Sequence, residues 1–492
     1  MKSRPCIWMS VACLAAALTM TIQLMAQDNA PNNNHQPRYR LIEIGTFGGP
    51  DGSPVTGPPS LHLLTDSGIA VGLADTAVPD PYPYCWVGEC YVTHGFQWQN
   101  GVLTNLGALP GTNSSAATGV NELGVTVAVS ENGSLDPLTG YPEYDGVIWK
   151  NGMMTDLGTL GGNLSYAIGV NDLNQVVGGA ENAIPDDYDY GFPCVEWNCW
   201  PAATQWRAFL WQNGRMRDLG TLGGNDAFSM LVNDLGQVAG ISYTDTTPNP
   251  TTGVPTLDPF FWQNGRMIDM GTLGSGHYSY PNGMNLFGQT VGDSAPADTW
   301  YHAFLWQGGK MQDLGLPLGG DFSIANWIND FGQTVGDASL PGDQAYHAVL
   351  WSQGRATDLG VVSGDGCSYA TSINLTSQVV GDLANCSTGE AVSAFLWQNG
   401  TMYDLNSLIP PGSGLTIFEA FDINDVGQIE CFAVLANGNL RACLLTPCNE
   451  NDPAGCQNQV ISTAQSANNP AQPRQQLKPW RDPMARFHVP TR

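Results

Sequence analysis

The sequence predicts an all-β protein, a β-propeller of about eight four-stranded blades closed by pairing of its N- and C-terminal strands. Three observations predict it: one short pattern recurs eight times, Asn-Gly turns separate its apolar runs, and strands of complementary type stand at the two ends of the array. Composition agrees, since 59 Gly, 33 Pro and 15 Trp with only 12% charged residues suit short strands joined by many turns better than salt-bridged helices.

In chain order, Met1-Lys2-Ser3-Arg4 precedes an apolar run from Ile7 to Met25 that ends at the small residue Ala26. That is the pattern of a secretory signal peptide, residues 1–26. A disordered leader, 27–38, is expected next, then the repeat domain over 39–446 and a disordered tail over 447–492 rich in Gln, Asn and Pro. No later segment approaches the ~20 apolar residues a membrane span requires. The expected location is therefore secreted, extracellular or periplasmic, without a membrane span, and the expected state is a monomer.

One unit reads as a strand Ala208-Phe209-Leu210-Trp211, a turn Gln212-Asn213-Gly214, and a second strand ending Asp218-Leu219-Gly220. A Gly-rich loop Thr221-Leu222-Gly223-Gly224 follows, then a third strand ending Val232-Asn233-Asp234, and a fourth, Gln237-Val238-Ala239-Gly240. The Trp recurs at Trp98, Trp149, Trp211, Trp262, Trp306, Trp351 and Trp397, with Leu445 in the last unit. Asn-Gly accepts the positive φ that a primed hairpin turn demands, so each unit is two hairpins. Both faces of Ala303-Phe304-Leu305-Trp306 are apolar, which one lone sheet cannot bury, so the units must stack. The array opens with a second-type strand, Tyr39–Ile44, and closes with a first-type strand, Ala442–Leu445. Pairing them completes a hairpin and closes a ring, whereas a rod would need polar capping units.

With Tyr301-His302-Ala303-Phe304-Leu305-Trp306 and Tyr346-His347-Ala348-Val349-Leu350-Trp351 as the clearest copies, the units resemble the HAF family of probable extracellular repeats. The resemblance runs over nearly the whole chain up to Pro447 and implies export and tandem repetition, with no activity to carry over. The histidine of the pattern stands at His94, His302 and His347, while Asp145, Arg207, Asp258, Ser393 and Arg441 take its place elsewhere.

The formal charge is -27, with 17 Lys+Arg, so nucleic acid is excluded as a partner. Setting aside Cys6 and Cys13 of the signal peptide, the cysteines fall into close pairs, and an exported chain should oxidise them. The pairing expected is Cys85 with Cys90, Cys194 with Cys199, Cys367 with Cys386, Cys431 with Cys443, and Cys448 with Cys456.

Candidate sites follow from what the repeat does not explain. Connections from fourth to first strands are long in units one to four, roughly 74–93, 130–145, 180–206 and 242–258, and lie on the face opposite the Asn-Asp turns. Variable loops on one face of a rigid scaffold are where binding residues concentrate. These loops carry Tyr84, Trp86, Tyr188, Trp197 and Trp200, suited to stacking on sugar rings or anchoring a protein. The expected function is a binding module for an extracellular glycan or protein. The alternatives are a polysaccharide hydrolase or lyase using a carboxylate or His277 near the central opening, and a purely structural repeat.

Residues that recur in every unit read as structural, because chemistry needs one copy in one place. The acid before Leu-Gly (Glu43, Asp156, Asp218, Asp269, Asp313, Asp358, Asp404) should hold turn backbone groups, and the histidines should hydrogen-bond the neighbouring turn. No catalytic residue, metal ligand or cofactor is assigned. Calcium is the one candidate, at Asp187, Asp189 and Gly191, but a third acid and a distal bidentate Glu are missing. The basic tail residues Arg474, Lys478, Arg481, Arg486 and Arg492 could touch the acidic body or an anionic surface.

Overall fold

The computed structural model describes residues 36–54, 62–82, 90–135, 140, 142–186, 204–250, 253–297, 300–362, 366–449 and 456. Eight four-stranded antiparallel sheets form the blades of a β-propeller. Blade four shows how the repeat builds one: Ala227–Val232 is the inner strand, followed outward by Val238–Tyr243, Leu257–Gln263 and Arg266–Asp269. The Asn-Gly turn between the outer two has Asn264 at φ 54° and Gly265 at φ 85°. Those are the left-handed values a primed turn imposes, which explains why Asn-Gly recurs there.

Each sheet begins with the third strand of the repeat as written along the chain, so the long fourth-to-first connections lie inside blades. The Gly-rich loops cross between them. Register is shared around the ring: Trp98, Trp149, Trp211, Trp262, Trp306, Trp351, Trp397 and Leu445 each pair with the first residue of the second strand, as in Val238↔Trp262 and Ile429↔Leu445. The Phe two residues before the Trp is fully buried (Phe96, Phe209, Phe260, Phe304 and Phe395, each 0% exposed). Such a side chain contributes roughly 1.5–3 kcal/mol by leaving water, and here it fills the space between sheets.

Tyr39–Glu43 pairs antiparallel with Leu440–Pro447, with Leu41↔Leu445 and Glu43↔Cys443 in register. Blade eight is completed by the other end of the chain, as the leftover strand types required. In the described residues three disulfides match the expected pairing: Cys367–Cys386, Cys431–Cys443 and Cys448–Cys456. Cys90 is also disulfide-bonded; Cys85, Cys194 and Cys199 lie outside the described residues. No helix among the described residues is long and apolar enough to cross a membrane.

The second strands of blades one to three are ten residues each, Ala70–Pro79, Thr126–Leu135 and Val176–Pro185, against five to seven in the other blades. Their last residues project past the ring and leave Val78, Leu135 and Ile184 at least half exposed. The loop asymmetry seen in the sequence is thus an asymmetry of the sheets themselves.

Candidate functional site

The recurrent Asn-Asp turns do more than turn the chain. Asn233 Oδ1 accepts from the backbone amides of Leu235 and Gln237 within its own turn, both at 3.1 Å. Its Nδ2 donates 3.0 Å to the carbonyl of Asn285 in the next blade. The same bond recurs from Asn121 to Asn171, Asn171 to Asn233, Asn285 to Asn329, Asn329 to Asn374, Asn374 to Asn424, and Asn424 to Thr65, at 2.8–3.1 Å. The acids form a second belt. Amides of Asp66, Glu122, Asp172, Leu286, Leu375 and Asp425 donate to the carboxylates of Glu122, Asp172, Asp234, Asp330, Asp425 and Asp66 at 2.8–2.9 Å. Short polar side chains at inner-strand ends thus bind blade to blade around the axis.

Inside this belt is an axial cavity of about 340 Å³. Its wall is divided: His62, Glu122 and Asp422 on blades one, two and eight face Met230, Met284 and Trp327 on blades four to six. His62 Nδ1 lies 3.4 Å from Asp422 and Nε2 3.9 Å from Glu122, with the ring 45% exposed to the cavity. Burial opposes charge on the imidazole, but the two carboxylates outweigh it and push its pKa up to about 10. It is an imidazolium at neutral pH. Burial alone would raise Glu122, yet His62 and the amides of Asp66 and Ser67 hold it below the usual range. Asp172 and Asp425 are pushed up by burial and by neighbouring acids of the belt.

Behind Asp422, and opposite it in the ladder, is Glu430. It is fully buried, neither carboxylate oxygen has a hydrogen-bond partner, and burial followed by the charge of Asp422 raises its pKa well above the usual value. The equivalent positions hold Val71, Val127, Val177, Ala239, Val291, Val335 and Val380. His62, Asp422, Glu430 and Trp327 were not singled out in the sequence, because a search for what recurs passes over them. The signal that finds them is departure from the unit, an acid where seven copies carry Val or Ala.

The acid before Leu-Gly behaves as expected. One oxygen accepts the amide two residues on, as from Gly220, Gly271, Gly315 and Gly360 to Asp218, Asp269, Asp313 and Asp358 at 2.7–2.8 Å. It also faces the histidine position eleven residues earlier: His302 Nδ1 is 3.0 Å from Asp313, His347 Nδ1 2.9 Å from Asp358, and Arg207 Nε donates 3.1 Å to Asp218. Arg441 donates to Glu43 in the same way across the ring closure. In blade four the facing pair is two acids, and burial followed by Asp269 pushes Asp258 up to about 7.

That pair yields a pH prediction. A carboxyl whose folded pKa is raised contributes stability below its unfolded pKa and loses it as pH rises through the folded one. Thermal stability should therefore fall between about pH 4 and pH 7 through Asp258. Asp258→His, which recreates the His347–Asp358 pair, should recover about 1 kcal/mol at pH 7.5 and little at pH 4.5 in parallel melting curves. An equal effect at both pH values would show that charge is not the cause.

The expected ligand residues Tyr84, Trp86, Tyr188, Trp197 and Trp200, and the calcium candidates Asp187, Asp189 and Gly191, lie outside the described residues. His277 precedes the inner strand of blade five, where its carbonyl accepts from Leu257 at 3.2 Å; it does not line the axial cavity. Near the bases of the long loops Tyr144, Tyr166, Trp206 and Phe228 make successive ring contacts of 5.6–6.4 Å across blades two to four. These aromatics are packing between blades.

No family model and no curated protein matches the chain. Among solved structures it is similar to the β-propeller domain of the Trilobed protease from Pyrococcus furiosus, with a TM-score of 0.42 and 9% identity over 73% of this chain and 100% of that one. It is similar to the acylaminoacyl peptidase of Pyrococcus horikoshii, TM-score 0.39 and 9% identity, covering 80% of this chain and 57% of that one. A gluconolactonase from Xanthomonas campestris gives 0.26 and 10% identity, over 66% of this chain and 90% of that one.

Proposed function

We propose that this propeller is a secreted binding module whose loop-bearing face, on blades one to four, engages an extracellular glycan or protein. The observation that carries the reading is the set of lengthened hairpins on three adjacent blades. They hold Val78, Leu135 and Ile184 at least half exposed where the remaining blades stop short. Apolar groups held clear of the core gain nothing for folding, and a partner that covers them supplies the missing burial. Trp86, Trp197 and Trp200 in the intervening loops are the proposed anchors, and the units are taken as HAF-type extracellular repeats.

A glycan array with the secreted protein, followed by calorimetry on any hit, tests this. Trp197→Ala with Trp200→Ala should weaken binding at least about tenfold, in keeping with ~2 kcal/mol for a buried aromatic anchor, and leave the melting temperature unchanged. If the pair lowers stability and leaves affinity intact, the loops are scaffold.

A second reading, a polysaccharide hydrolase or lyase, is favoured by one feature: an unrepeated acid and an unrepeated histidine, Asp422 and His62, meet the belt acid Glu122 at the axial cavity. A turnover assay on each array hit separates the two.

A further inference from the structure

The face opposite the long loops carries a surface that folding does not require. In six blades the residue two places after the turn Asn is apolar and exposed: Leu123, Leu173, Leu235, Phe287, Phe331 and Val426, each 52–67% exposed. These turns surround the axial mouth, so a crown of apolar tips encloses the belt of carboxylates. Among the described residues lining the mouth none is Lys or Arg, and the one basic group, His62, is already shared by Asp422 and Glu122. Isolated exposed apolar residues are ordinary on a protein surface, but six at one repeat position around an acidic opening form a patch.

We infer that this mouth is the docking site for the chain's own C-terminal segment, residues 474–492. Its sequence is the complement of the surface: Arg474, Lys478, Arg481, Arg486 and Arg492 against one acid, Asp482, interleaved with Leu477, Trp480, Met484 and Phe487. Five of the 17 basic residues of the chain fall in these last 19 positions. Cations meet the carboxylate belt while the apolar side chains cover the crown. Burial and then neighbouring acids raise Asp172 and Asp425, and seated cations relieve the repulsive part, while Trp327 in the cavity wall adds apolar surface.

The geometry of the chain's exit supports this occupant. Leu440–Pro447 runs toward the Asn-Gly and Asn-Asp turns, and Pro447 packs beside Gly427 in the turn of blade eight. Gln428 Nε2 donates to Thr446 Oγ1 there at 3.4 Å, so the strand leaves on the face of the mouth. The Cys448–Cys456 bridge holds the start of the following segment near that exit. From Pro447 to the inner strand is two strand spacings, roughly 10 Å. The 22 residues from Cys456 to Lys478 reach at most roughly 75 Å when extended, more than an intramolecular contact at high effective concentration requires.

A synthetic peptide of residues 474–492 tests the inference against two full-length proteins: the wild type, and a variant carrying Lys478→Glu, Arg481→Glu and Arg486→Glu whose own segment is released. The peptide should bind the variant and bind the wild type at least about tenfold more weakly, since there the site is filled. Binding should weaken with salt and be lost when Asp172→Asn and Asp425→Asn are added. Those two changes keep the oxygens that accept the belt amides and remove only charge, so folding is preserved. Carbodiimide cross-linking of the wild type should join Lys478 to the carboxylates of the belt within one chain. Equal peptide affinity for both proteins, no binding to either, or cross-links only between isotopically distinct copies would overturn the assignment. The loop-face reading is tested by other residues and stands or falls separately.

Discussion

Asn233→Ala should cost about 3 kcal/mol of unfolding free energy, a large loss for one surface-proximal turn residue. The substitution leaves the amides of Leu235 and Gln237 without their acceptor and takes from the carbonyl of Asn285 one of its two donors, the amide of Gly288 being the other, in a position 8% exposed. Each buried backbone group left unpaired costs about 1–3 kcal/mol, whereas an exposed turn asparagine would cost a few tenths. Asn233→Asp separates the two functions of the side chain. It keeps the oxygen that holds the turn but sets a second, charged oxygen against the carbonyl of Asn285 and Oε1 of Gln237, so it should cost at least as much as alanine at pH 7 and less near pH 4, where a protonated Asp can donate. Urea denaturation of the three proteins checks this, and a loss below about 0.5 kcal/mol for the alanine variant would show that the belt is incidental.

Glu430→Val should raise stability by about 2–3 kcal/mol. A carboxyl with no hydrogen-bond partner, fully buried, costs several kcal/mol even when it stays protonated, and Val is the residue that most other blades place there. The pH dependence identifies the cause. Since burial raises the folded pKa of Glu430, its contribution falls as pH rises from about 4.5 through that value. The gain from Glu430→Val should accordingly be smaller near pH 4, where only the cost of the unpaired neutral carboxyl is removed, than near pH 8, read from melting curves at both. A loss of stability at every pH would mean that the carboxyl has a role in holding Asp422 and His62. In that case the hydrolase reading of the axial cavity gains a residue.

The sequence by itself determined the repeat, the strand types, the closure and the three local disulfides seen among the described residues. All but the closure are written at short range: an Asn-Gly turn needs only its own two φ values, and Cys367 and Cys386 lie 19 residues apart. The closure is long-range in sequence, yet it was legible because the two leftover strands, Tyr39–Glu43 and Leu440–Pro447, lack partners of their own kind. The role of the acid before Leu-Gly was legible for the same reason, since its hydrogen bond spans two residues.

Tertiary structure alone decided what the inner-strand ends do. The bonds from Asn233 to Asn285 and from Asn424 to Thr65 join residues 52 and 359 positions apart, and no local pattern records which carbonyl a side chain will meet. It also decided that His62, Glu122 and Asp422 share one cavity. They come from three blades, and only closing the ring brings the first described turn against the last. Recurrence marks what every blade needs for folding, but a site on the axis is assembled from single residues that differ between blades, so it becomes visible only when all the inner strands converge.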